Sequence, residues 1–339
     1  MPTRETHSPA PPCRLCGGLE FKTLFSAPAF DSSNERYELS ECSRCDLVRT
    51  QPILDDDQLA KYYAPSYYGR YEKKFSGIFE SLIHALNTRR ARLILSIARR
   101  ASNETGPAPR VVDIGCGRGH LLRAMQSTGC ECHGIERDDF PSDEQADGIH
   151  LYNANVEDIG FESDHFDLAV LWHVLEHLPQ PLATIREARR ILRPGGVLAV
   201  ALPNFDALQA LLFGSRWFHL DLPRHVHHFK MQTLRQCLAD NGFTVLSWGT
   251  CSIEQNIFGF IQSSLNAMSG PKHANALYTL LKRHETLAAK VKLLAWLFGG
   301  GLIAPLAVAE SMIASVLGKG ATAIVYAKKC RPGPERNCT

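Results

Sequence analysis

The chain has 339 residues with 45% apolar and 21% charged side chains, ordinary fractions for a globular protein, and its length suits one large domain with an appendage, or two domains. Thirty-seven basic against thirty-five acidic residues leave a net charge of +2, which gives no broad electrostatic case for a nucleic-acid partner. Eleven cysteines, an odd count behind a polar, proline-rich start with no apolar signal core, argue against a disulfide-built secreted protein and for a cytoplasmic one.

Residues 1–12 read as a disordered tail. Residues 13–50 carry two C-x-x-C pairs, Cys13 with Cys16 and Cys42 with Cys45, among short strand-like runs. Each pair makes a tight turn offering two thiolates, and four thiolates close a tetrahedral structural zinc site with no position left for water. A zinc-ribbon-like module is expected, held together by its metal, with a redox pair or unliganded thiols as the alternatives. Residues 51–100 form a connector with Tyr62, Tyr63, Tyr67, Tyr68 and Tyr71, then a helix on which Ile78, Leu82, Ile83, Leu86, Leu93, Ile94 and Ile97 recur at helical spacing. Its arginines, Arg89, Arg90, Arg92, Arg99 and Arg100, read as a solvated face rather than an anion site.

A Gly/Pro-rich break at 103–109 introduces the main domain, residues 101–250. There, strands at 111–114, 132–136, 166–172, 197–202 and 243–248 alternate with helices at 120–127, 182–192 and 232–240. Strands separated by helical crossovers give an α/β class, a doubly wound sheet. Residues 251–320 read as a helical, apolar insertion, residues 321–330 as the last strand of the sheet, and 331–339 as a tail.

The first strand ends in Val112-Asp113-Ile114-Gly115-Cys116-Gly117-Arg118-Gly119. Gly115, Gly117 and Gly119 let the backbone approach a nucleotide-like ligand, and the following helix start offers free amides. The G-x-G-x-G spacing differs from the G-x-G-x-x-G of dinucleotide sites, and a carboxylate at Asp113 would repel pyrophosphate but accept hydrogen bonds from a cationic amino-acid moiety. Glu136, ending the next strand, suits two ribose hydroxyls. Together these favour S-adenosylmethionine as cofactor, with Cys116 a small packing residue within the same loop.

With Phe166 to Leu178 (FDLAVLWHVLEHL), Leu192 to Leu198 (LRPGGVL) and Leu202-Pro203-Asn204, this loop makes residues 78–250 resemble the class I S-adenosylmethionine-dependent methyltransferases, in the branch similar to ubiquinone-biosynthesis, natural-product and glycan O-methyltransferases. The resemblance implies a seven-stranded Rossmann-like sheet whose last strand runs antiparallel. It implies adenine contacts at Asn155, where an aspartate is usual, and at the Val156 backbone amide, and it places Trp172 and His173 beside the cofactor's methionine end.

By letters alone, His173-Val174-Leu175-Glu176-His177 matches a zinc-peptidase pattern, which a position after a sheet strand excludes. The favoured reading has His177 cap the cofactor pocket by a hydrogen bond; a divalent-ion site from His173, Glu176 and His177 is the alternative. The second histidine-rich segment, residues 217–229, resembles the Pro-Arg-His loops that follow strand five in this branch. Among His219, His225, His227 and His228 the expected general base is His225, with Arg224 holding an anionic part of the substrate; at least half of these histidines are expected only to pack or to bond backbone.

Residues 293–309 carry no charge, but the stretch is short for a spanning helix and Gly299-Gly300-Gly301 and Pro305 are expected to break it. A lid or packing role, a dimer surface, or peripheral membrane contact through 285–318 remain open. The reading as a whole is an O-methyltransferase of a small molecule such as a sugar, lipid-linked or natural-product intermediate. The alternatives are C- or N-methylation, or an inactive methyltransferase fold serving as a zinc-ribbon interaction protein.

Overall fold

The computed structural model describes residues 11–30, 35–55, 58–59, 61–63, 77–102, 108–137, 148–270, 273–282 and 287–331. Most of both tails, and Tyr67, Tyr68 and Tyr71 of the connector, lie outside the described residues.

The chain opens with three antiparallel strands, β1 (Phe21–Pro28), β2 (Arg36–Cys42) and β3 (Val48–Gln51), followed by the long helix α1 (Gly77–Ser102). The main domain then alternates β4 (Arg110–Ile114), α2 (His120–Gln126), β5 (Glu131–Glu136), β6 (Ile149–Asn153), a one-turn α3 (Val156–Ile159), β7 (Phe166–Trp172), α4 (Pro181–Ile191) and β8 (Leu192–Pro203). After β8 come α5 (Leu208–Phe213), the two-residue strand β9 (His227–His228), α6 (Met231–Asp240) and β10 (Phe243–Gly249). Three helices follow, α7 (Ile253–Ser269), α8 (Ala276–Lys282) and α9 (Leu287–Val316), before β11 (Thr322–Lys329) closes the fold.

Seven strands form the main sheet in the order β10-β11-β8-β7-β4-β5-β6. Strands β4 to β8 run parallel, and β11 is antiparallel to both β8 and β10. This is the expected Rossmann-like architecture with a reversed last strand. Alternate residues serve two cores, as a sheet covered on both faces requires. Ile114, Phe166, Leu171, Leu198 and Val200 face α4 and α6, whereas Val111, Leu168, Val170 and Ala199 face α1 and α2.

Two elements differ from expectation. Helix α4 stops at Ile191, and Leu192 is already extended and paired with Phe166. Pro194 explains the early exit, since its ring disfavours helical backbone at Arg193. The late apolar stretch is not broken: α9 runs as one helix through Gly299-Gly300-Gly301 and Pro305. Packing overrides the local weakness. Helix α7 lies so close that a Cβ at Gly300 would stand 3.2 Å from the Ile261 side chain.

The N-terminal strands do not stand apart. Strand β9, from the histidine-rich loop after β8, adds a fourth strand in the order β1-β2-β3-β9 and pairs Val48 with His228 and Arg49 with His227. The Thr50 amide donates to the Val226 carbonyl at 3.1 Å, and its hydroxyl donates to the His225 carbonyl at 2.6 Å. Having given its one proton, that hydroxyl accepts from His228 Nε2, 3.0 Å away. Cys13, Cys42 and Leu47 join the same core as Leu234 and Phe243, and Thr233 Oγ1 of α6 donates to the Cys45 carbonyl at 3.2 Å. Thr50→Val would leave the His225 carbonyl and the His228 ring without this partner in a buried position. It is expected to cost about 1–3 kcal/mol of stability, read as a lower urea midpoint with an unchanged slope.

Candidate active site

The parallel strands end together at one edge of the sheet, and there the chain concentrates its polar groups. Beyond β4 the backbone enters the left-handed region at Gly115 (φ 74°), Gly117 (φ 52°) and Gly119 (φ 66°), where a side chain is strained. A Cβ at Gly115 would lie 2.4 Å from Val174, so this glycine is demanded by packing against the loop after β7. Nothing stands within 4 Å of a Cβ built on Gly117, so the loop leaves open space above it. The Gly117 amide donates to Glu136 Oε2 at 2.9 Å, which brings the acid at the end of β5 to the glycine loop. Loop and acid are thereby assembled as the sequence suggested.

Asp113 is buried, and its Oδ1 has no hydrogen-bond partner among the described residues. Burial first, then the charge of Glu136, raise its carboxyl pKa to about 8, against an opposing pull from Arg90. Arg90 projects from α1, its guanidinium 4.3 Å from the centre of the Trp172 ring, and is paired with Glu254 of α7. The expectation of a solvated arginine face fails at this position: the Arg90 side chain is 16% exposed and belongs to the wall of the site. Glu254 did not stand out in sequence, and the run of Arg89, Arg90 and Arg92 gave no sign of which member would turn inward.

Of the two residues expected to meet adenine, Asn155 is exposed and donates to Asp158 Oδ2 at 2.8 Å, and the Val156 side chain is buried in the core beneath it. Beyond β7, His173 adopts a left-handed backbone (φ 57°) uncommon for a non-glycine residue. Its Nδ1 lies 3.3 Å from Glu176 Oε1, whereas His173 Nε2 and Glu176 Oε2, both shielded from solvent, have no partner among the described residues.

The histidine-rich loop folds over this edge. His177 Nδ1 contacts the Arg224 carbonyl at 3.2 Å, and the His177 and His225 rings meet at 4.5 Å between centroids. His225 Nδ1 lies 2.9 Å from the His219 carbonyl, so Nδ1 carries the proton and Nε2 the lone pair. Asp221 Oδ2 is 3.8 Å from that Nε2. Burial, reinforced by His177 and His228, holds the His225 pKa well below the usual histidine value. The same burial brings His219 to about 4 and His228 to about 3. His219 Nε2 meets the Gln255 carbonyl at 3.1 Å in a slot that Gly259 keeps open, since a Cβ there would come within 2.2 Å of the ring. Arg224 is buried, grips Asp221 with two nitrogens and lies 4.5 Å over the Phe30 ring. Its charge is thus already answered within the protein.

These groups surround a cavity of about 600 Å³. Ile83, Leu86, Ile257, Phe258, Ile261 and Leu281 form apolar walls, and the polar lining comes from His173, Glu176, His177, Asp221 and His225 and from Glu254 and Gln255 of α7. Such a chamber suits a ligand with an apolar body and a few polar groups.

At the other end of the β3–β9 ladder, the thiols of Cys13, Cys16, Cys42 and Cys45 all lie within 4.8 Å of one another. The Cys13–Cys45 and Cys16–Cys42 sulfurs are 3.5 and 3.6 Å apart, too far for disulfides. Zinc–sulfur bonds of about 2.3 Å in a tetrahedron place sulfurs roughly 3.8 Å apart, so the four fit one zinc ion.

Residues 86–247 match a family model described as a methyltransferase domain, somewhat less than half of the chain. The ubiquinone biosynthesis O-methyltransferase of Haemophilus ducreyi is 29% identical over 162 residues, covering 44% of this chain and 66% of that protein. The protein of the same name from Xanthomonas campestris pv. campestris is 32% identical over 160 residues, covering 44% and 64%. The chain therefore spans a little under two thirds of the length of these curated relatives. Among solved structures, Burkholderia thailandensis 1,6-didemethyltoxoflavin-N1-methyltransferase, with bound 1,6-didemethyltoxoflavin and S-adenosylhomocysteine, has 12% identity and a TM-score of 0.44 over 87% of this chain and 96% of its own. The glycine loop, Asp113, Glu136 and both histidine segments thus all lie within the stretch of chain that is similar to the methyltransferase-domain family.

Proposed function

We propose that the chain is an S-adenosylmethionine-dependent methyltransferase that methylates an oxygen of a small molecule with an apolar body. The observation that carries this reading is the buried Asp113 carboxyl, whose Oδ1 has no partner among the described residues, beside a glycine loop with open space at Gly117. A buried acid without a full set of donors asks for a cation, and the amino-acid end of the cofactor is one.

When bound, the cofactor supplies a methyl group activated on a sulfonium. The residues of this chain do the remaining work. Asp113 accepts from the cofactor's amino group, Glu136 from the ribose hydroxyls, and the loop backbone at Gly115, Cys116, Gly117 and Gly119 shapes the cradle. Asn155 and the Val156 amide serve the adenine edge, while Trp172 and His173 border the methionine end. The apolar walls hold the acceptor and exclude water, so the two reactants meet in line rather than by chance encounter. His225, neutral because it is buried and with Nε2 unprotonated, takes the acceptor's proton. His177, stacked edge-on against it, orients the ring. Arg224 acts through Asp221, fixing the loop that carries the base, rather than by holding an anion. The identity with O-methyltransferases supports oxygen as the acceptor atom, and the four thiolates hold structural zinc.

Three outcomes are expected. Cofactor binding needs the Asp113 carboxylate, whose pKa in the free site is about 8. Affinity for S-adenosylhomocysteine should therefore rise with pH by up to about tenfold per unit below 8, with a proton released on binding. Above that it should level off, because Asp113 is then ionised, and fall once the ligand's own amino group loses its proton. Calorimetry in buffers of different ionisation enthalpy measures both, and no binding at any pH would leave an inactive fold acting as an interaction protein. His225→Ala should lower kcat by roughly 10²-fold or more while leaving cofactor affinity intact, once an acceptor is found by mass spectrometry of metabolite extracts treated with labelled cofactor. Metal analysis should find zinc bound in proportion to chain and lost in Cys42→Ser. Chelation should then expose residues 13–50 to protease; an N-terminus that stays resistant without metal would refute the zinc site.

A further inference from the structure

Helix α9 has its polarity turned inside out. Its covered face is small and polar: Gly300, Ala307, Glu310, Ser311 and Ala314 are buried. Glu310, the one acid in the helix, accepts from Gln209 Nε2 at 2.9 Å inside the protein. The outward face instead carries Leu294 (67% exposed), Phe298 (73%), Leu302 (70%), Leu306 (62%) and Val316 (88%), spaced so that they share one side of the helix. Water penalises this arrangement and hydrocarbon rewards it. Among the described residues α9 is the single helix long and apolar enough to cross a membrane, with only 11% of its apolar window buried. Crossing is opposed by the topology, because both ends belong to the same domain: α8 precedes it by four residues and packs against it, and β11 follows it into the sheet between β10 and β8.

We propose that α9 lies in the plane of a membrane surface, its outer face sunk among the acyl chains of an anionic leaflet. The charges fit that orientation. Lys290 and Lys292 are exposed at the N-terminal end of the helix, where headgroups would meet them, and no exposed acid interrupts the face. The helix also stands directly behind the acceptor cavity, since Gly300 packs on Ile261, which lines that cavity. A membrane-embedded α9 therefore sets the cavity beside the lipid phase, which suits an acceptor with a lipophilic body. The surface contact rests on α9 alone; only this last consequence rests on the methyltransferase reading.

The test is flotation of the full chain with phosphatidylcholine vesicles, with and without phosphatidylglycerol. The chain should float with the anionic vesicles, and the double variant Lys290→Glu/Lys292→Glu should weaken that partition by about tenfold or more, at roughly 1 kcal/mol for each lysine near the surface. Leu294→Asp/Phe298→Asp/Leu302→Asp, all at exposed positions, should abolish flotation while keeping the wild-type circular dichroism and S-adenosylhomocysteine affinity. Failure of the wild-type chain to float overturns the proposal, as does flotation unchanged in the triple variant. Sedimentation as a dimer that the triple variant dissolves, without vesicle binding, assigns the face to a second copy instead. Because cofactor affinity is read separately, loss of membrane binding and loss of the methyltransferase function are distinguishable.

Discussion

Two hydrogen bonds from Thr50, one from its amide to Val226 and one from its hydroxyl to the His225 carbonyl, join parts of the chain that lie about half its length apart. Through them β3 fixes β9, and β9 fixes the loop whose rings close the acceptor side of the cavity. A loop of this length on a sheet edge would otherwise carry a high ordering cost. Here its backbone is tied to a strand whose other end is anchored by the cysteine cluster and by core contacts with α6. The thiol cluster thus bears on the geometry at His225 without coming near it. A metal bound by the four thiols would, in holding the first strands together, also hold this loop in place.

The electrostatic arrangement follows from burial. The site collects acids at Asp113, Glu136, Glu176, Asp221 and Glu254 while the chain as a whole is nearly neutral. Two arginines balance part of that charge, Arg90 with Glu254 and Arg224 with Asp221, and both are turned inward and placed over aromatic rings. Asp113 receives only partial help from Arg90, so its carboxyl is held near neutrality in the free protein. The histidines are driven the other way, toward the neutral form, by the same loss of water. Loss of water thus favours the neutral form of the acid at Asp113 and of the histidines in the loop alike.

The cofactor side was legible in the sequence because it is local. Glycines at 115, 117 and 119 announce a backbone that must turn left-handed against a neighbour, and Asp113 and Glu136 follow from strand ends only a few residues away. The order of strand and helix, with the reversed final strand implied by resemblance, was legible for the same reason, since period-two and period-3.6 patterns are properties of short stretches. The histidine loop stood out in the sequence as a candidate functional segment, but its contacts were not legible there. That His225 turns its Nδ1 to a carbonyl, and that Arg224 spends its charge on Asp221, depends on neighbours that no spacing rule reveals.

Sequence alone therefore determined the class of fold, the left-handed glycine loop beside two acids at strand ends and the four thiols able to bind one metal. Tertiary structure decided which face each long helix shows and to what. Arg90 sits in a run of arginines that periodicity cannot split into inward and outward members, yet the packing of α1 against α7 brings it to Glu254. Helix α9 carries glycines and a proline that weaken it locally, yet α7 and α8 support it as one continuous rod with its large apolar side chains outside. In both cases the deciding free energy comes from contacts between segments far apart in the chain, and such contacts leave no periodic trace in either segment by itself.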